Sequence, residues 1–108
     1  MAFDETLADR LRTAMGGTDW VERRMFGGLA FMVAGQMACG VVGDELMVRL
    51  GEDGVGEALR ERGVRAMDFT GKPIRTMAFV TAEGVRDDAV LAGWVARALA
   101  YTATLPPK

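Results

Sequence analysis

Phe3, Leu7, Leu11 and Met15 recur at every fourth position, one apolar stripe on a helical period. Asp4 and Glu5 lead the segment and Arg10 and Arg12 trail it, the order that a helix dipole favours. The spacing predicts a first helix, stopped by Gly16 and Gly17. The pattern then changes. "WVERRMF" (20–26), "LAFMVA" (29–34), "QMACGVV" (36–42) and "ELMVRL" (45–50) are short apolar runs rich in valine, aromatics and methionine, which read as four strands. Gly27 with Gly28, Ala34 with Gly35 and Gly43 with Asp44 separate them. Such gaps are too short for crossover helices and suit hairpin turns that need positive φ, so neighbouring strands should pair antiparallel.

In the fourth run Leu46, Val48 and Leu50 alternate with Met47 and Arg49, predicting one buried sheet face and one wetter one. "DGVGEALRER" (53–62) sets Val55, Ala58, Leu59 and Arg62 on one side and ends at Gly63, a short helix weakened by its internal glycines. Residues 64–73 read as a loop, "IRTMAFVT" (74–81) as a fifth strand and "AEG" as a turn. Asp87 is placed to cap a last helix with the stripe Leu91, Trp94, Val95, Ala98, Leu99 and Thr102, and Pro106 and Pro107 forbid its continuation. The order α-β-β-β-β-α-β-α describes an α+β domain over residues 1–108. Its two layers are a mostly antiparallel sheet of about five strands and helices on one face.

Composition fits this picture: 108 residues, half of them apolar and 26% charged, suit one packed core. A net charge of -2 does not favour avid binding to nucleic acid, whose sequence-independent affinity comes from lysine and arginine on phosphates. No apolar run approaches the ~20 residues of a membrane span. "MAFDETLADR" is acidic where a signal peptide is basic and then apolar, so a cytoplasmic location without membrane contact is expected. An exposed strand edge, or the methionine-bearing face, is a surface for self-association as a homodimer.

The glycines invite a phosphate-loop reading, but such a loop must follow a strand and open onto a helix, and here the glycines lead into more strand. Without histidine or serine the common nucleophilic triads are absent. Cys39 has no histidine to deprotonate it and sits in an apolar run, where a small buried hydrophobe is the simpler reading. Asp87 with Asp88 fits helix capping, and the pairs Asp44 with Glu45 and Glu52 with Asp53 fall at predicted turns. No catalytic residue, cofactor site or metal site is assigned.

Two segments have no evident packing role. Arg23, Arg24 and Phe26 crowd one strand end, and Asp68, Phe69 and Lys72 share a short stretch followed by Arg75. Residues 60–75 are locally basic through Arg60, Arg62, Arg65, Lys72 and Arg75, which either pair with nearby acids such as Glu61 and Asp68 or form a patch for an acidic partner. The eight methionines are either core or an adaptable contact surface.

"RRMFGGLAFMVAGQMACGV", "LMVRLG", "MDFTGKP" and "WVARALAYTATLPPK" together resemble the amino-terminal domain of the TfoX/Sxy family, standing alone without the family's carboxy-terminal helical domain. The most specific pieces are Arg24 to Gly28 and Met67 to Pro73. The resemblance implies a secretion-chaperone-like α+β fold. It also implies a non-enzymatic domain from regulators of natural competence, which act with the cyclic-AMP receptor protein at promoters, hence a protein partner in the transcription machinery. It carries over no catalytic residue. Arg23, Arg24, Phe26, Asp68, Phe69, Lys72 and Arg75 are the candidate partner-binding residues. Two other functions remain open: an anionic-ligand-binding or enzymatic domain using Arg24, Arg49, Arg75 or Lys72, and direct nucleic-acid binding through 60–75.

Overall fold

A computed structural model of the chain describes residues 3–25, 27–69 and 72–107. Helix α1 spans Glu5–Met15, and the Asp4 carboxylate caps it by accepting from the backbone N–H groups of Thr6 and Leu7. Gly16, at φ +56°, ends it. Phe3 belongs to no helix; it bridges to Gly43, and the Asp4 N–H donates to the Gly43 carbonyl at 2.7 Å.

Four antiparallel strands follow: β1 (Val21–Met25), β2 (Gly28–Val33), β3 (Gln36–Val42) and β4 (Glu45–Arg49). The turn between β2 and β3 holds Ala34 at φ +52° and Gly35 at φ +80°, two consecutive left-handed residues of the kind that match strand twist in a tight hairpin. A bulge between Phe31 and Met32 shifts the β2–β3 register, so that Met37 stands opposite Met32.

Helix α2 spans Gly51–Ala58, earlier and shorter than the predicted 53–62. Gly51 is the reason. At φ +78° it turns the chain straight out of β4, and a Cβ there would lie 2.5 Å from the Tyr101 ring. The predicted loop at 64–73 is instead strand β5 (Val64–Phe69) and the start of β6 (Lys72–Val80), so the sheet has six strands, ordered β1-β2-β3-β4-β6-β5. Ala66 pairs with Ala78 but Met67 pairs with Ile74, and this irregularity breaks the alternation that would have marked a strand. A 3-10 turn (Glu83–Val85) leads to α3 (Asp88–Thr102), whose first turn the Asp87 carboxylate caps by accepting from the Ala89 N–H at 2.8 Å.

The main core lies between the helices and one sheet face. It joins Leu7, Leu11 and Met15 of α1 and Leu91, Trp94 and Val95 of α3 to Leu29, Phe31, Val41, Leu46, Val48 and Val80 of the strands. On the second face, Met47, Met67, Met77 and Phe79 form a separate apolar cluster, flanked by Met37, Val42 and Ile74.

Candidate functional site

Directly opposed residues in an antiparallel sheet project from the same face, so the pairing assigns the second face without ambiguity. Arg23 faces Ala30, Ala30 faces Gly40, Gly40 faces Met47, Met47 faces Phe79 and Phe79 faces Arg65. One row therefore crosses all six strands, with an arginine at each end and small or apolar residues between. A parallel row carries Val21, Met32 and Met37. Arg49, opposite Met77, joins the same face.

The arginines are held differently. Arg65 stacks over Phe79, its guanidinium carbon 4.4 Å from the ring centre, and forms a bidentate ion pair with Glu45. Arg49 is positioned by neutral acceptors: its Nη1 donates to Gln36 Oε1 at 3.0 Å and to the Met37 carbonyl at 3.4 Å, and Gln36 Nε2 donates to the Pro106 carbonyl. Arg23 is exposed beside a hollow of about 310 Å³ lined by Asp19, Val21, Met32, Ala34 and Gly35. Among the described residues no carboxylate lies within 4 Å of Arg23 or Arg49, so this face keeps positive charge although the chain is net acidic.

Arg23 and Arg24 do not act as a pair, because adjacent strand residues point to opposite faces. Arg24 lies on the helix side, its guanidinium carbon 5.6 Å above the Phe3 ring. Beside it, Glu22 accepts from Arg12 Nε at 2.6 Å and Nη2 at 2.9 Å, a fork that holds the Glu22 carboxyl below the usual carboxylate range. Nor do the two sequence segments meet. Arg23 and Arg24 belong to β1 at one edge of the sheet; Asp68, Phe69, Lys72 and Arg75 belong to β5 and β6 at the other. Phe26 lies outside the described residues.

The basic stretch 60–75 is likewise distributed. Arg65 binds Glu45, Arg75 reaches only to 4.0 Å from Glu52 at the exposed surface, and Glu61 is taken by Arg97 rather than by its sequence neighbours. The glycine pair at the head of the R-M-F-G-G segment has a structural explanation. Gly27 sits at φ +70°, and a Cβ on Gly28 would collide with the Val41 carbonyl oxygen of β3. The face with Arg49 and Arg65 escapes a linear reading because it exists only across strand pairs; the one signal in sequence is the Met47–Arg49 alternation.

Among the described residues no group of three or more acidic, cysteine or histidine side chains is placed to hold a metal. No helix among them is long and apolar enough to cross a membrane. Cys39 is fully buried and its thiol is pushed up to about 12 by burial, which removes it as a nucleophile. No curated protein matches the chain significantly. The model of the TfoX N-terminal domain, however, matches residues 14–102, from the end of α1 through the last residue of α3. With that match spanning the whole sheet, the chain belongs to the TfoX N-terminal domain family.

Proposed function

We infer that this chain is a non-enzymatic regulatory domain that works by contact with a protein partner, docking it on the second face of the sheet. The observation that carries this reading is the combination on that face of the half-buried thioethers Met32 and Met37 with Arg23 and Arg49, neither of which has a carboxylate within 4 Å among the described residues. Methionine adapts to varied apolar surfaces, and a desolvated arginine selects partners that present carboxylates, so the surface suits an acidic partner with apolar anchors. Family membership is consistent with a regulatory domain; we extend it to a partner within the transcription machinery and a cytoplasmic setting.

Cross-linked capture from the native cell tests this. Wild type and an Arg60→Glu control, altered beyond the end of α2, should retain one specific protein, whereas Arg23→Glu should lose it. Equal recovery by Arg23→Glu, or no specific protein with wild type, would remove the reading.

A further inference from the structure

We propose that the free edge of β1 is where a second copy of this chain adds antiparallel, β1 against β1, about a two-fold axis through Arg23. This goes beyond the docking surface above and needs no third component. Three observations lead to it.

First, β1 is the terminal strand of the sheet, with β2 on one side and no strand among the described residues on the other. A terminal strand offers a row of backbone donors and acceptors that a further strand can satisfy. Second, Val21 on this strand is 68% exposed, the most exposed large apolar residue among those described. Third, the strand is complementary to itself. Two-fold antiparallel pairing keeps like faces together only about an axis perpendicular to the sheet, so opposed positions must be equal in parity. Centring the axis on Arg23 sets Val21 opposite Met25 of the second copy and Glu22 opposite its Arg24, each occurring twice.

The local chemistry accommodates this register. The Glu22 carboxylate already receives the Arg12 fork, yet each oxygen keeps a lone pair for a further donor. Arg24 has no carboxylate within 4 Å in its own chain among the described residues, and it is exposed above Phe3 on the face where the second copy's Glu22 would arrive. The one opposing term is Arg23 against itself at the axis, a single like-charge contact against two opposite-charge ones. Centring on Glu22 instead would oppose two carboxylates and pair Val21 with Arg23, and centring on Arg24 would oppose two arginines and pair Arg23 with Met25.

In this arrangement both second faces lie on the same side, giving one continuous surface twice as wide. A five-residue strand pair buries less than the ~1,200 Å² at the lower end of standard interfaces, so the dimer is concentration-dependent.

Sedimentation equilibrium on the purified full chain reads it directly, with circular dichroism reporting that each variant is folded. Wild type should show a reversible monomer–dimer equilibrium. Arg24→Glu, which sets Glu against Glu22 twice, should weaken it about tenfold. Arg23→Gln, which removes the repulsion on the axis, should tighten it about threefold. The opposite signs of two adjacent substitutions separate this register from general charge effects. Wild type that stays monomeric to about 1 mM, or folded variants that shift the equilibrium in the same direction or not at all, would overturn the proposal. Because no partner is present, failure here leaves the capture experiment independent.

Discussion

A Cβ on Gly28 would stand 2.2 Å from the Val41 carbonyl oxygen and 2.9 Å from Val42 Cγ2, and the first of these neighbours is backbone that cannot rotate away. Gly28→Ala therefore has to part β2 from β3. It should cost about 2 kcal/mol or more in urea unfolding, whereas alanine at Gly56, inside α2 and facing open space, should stabilise the fold by up to about 1 kcal/mol. The second residue-scale prediction concerns Cys39, whose thiol in the fold titrates near 12 instead of its ordinary 9. Below pH 9 both folded and unfolded chains keep the proton and the residue is neutral to stability. Between 9 and 12 only the unfolded chain releases it, so stability falls as pH rises. Urea midpoints measured at roughly pH 8 and pH 10.5 should diverge more for wild type than for Cys39→Ala. The folded thiol should also resist alkylation at neutral pH until denaturant is added.

At the scale of elements, what could be read from the sequence depended on whether the signal was local. The stripes of α1 and α3 were legible because a helix folds its pattern within one segment: Leu7, Leu11, Met15, Leu91, Trp94, Val95, Ala98 and Thr102 are all buried. The hairpins were legible from positive-φ residues at Gly27, Gly35 and Gly43. Strand β5 was not, because its alternation shifts at Ala66–Met67 and only pairing with β6 restores it. The candidate site was half legible for the same reason. Arg23 was visible as a charge without a packing role, but its separation from Arg24 onto another face, and its alignment with Met47 and Arg65, are properties of register. The cap of α3 gives this scale its prediction. Asp87→Ala leaves the Ala89 N–H without its side-chain acceptor and should lower stability by about 1 kcal/mol. Asp88, which accepts from Arg10 Nε at 2.8 Å, ties α3 to α1 at an exposed position, so Asp88→Ala should cost less in the same urea titration.

For the molecule as a whole, the sheet divides the methionines into populations with different tasks. Met15 is locked in the helix-side core, and Met47, Met67 and Met77 are nearly as inaccessible within the second-face cluster. Met25, Met32 and Met37 are only half-buried, at or near the end of the face where Arg23 stands. Oxidation converts an apolar thioether to a polar sulfoxide, and its rate follows exposure. Under mild peroxide, mass spectrometry should find sulfoxide at Met25, Met32 and Met37 well before Met15, Met47, Met67 or Met77. Modification of the accessible set adds polarity where solvent already reaches, so the melting temperature should hardly move. If the second face is a docking surface, capture of the partner should fall in step with oxidation of Met32 and Met37. Modification of Met47, which is buried with its methyl in the space a Cβ on Gly40 would need, should appear only together with unfolding. A preparation oxidised at Met32 and Met37 that still captured its partner at full strength would show that these thioethers lie outside the contact, and the docking surface would then have to be sought elsewhere on the chain.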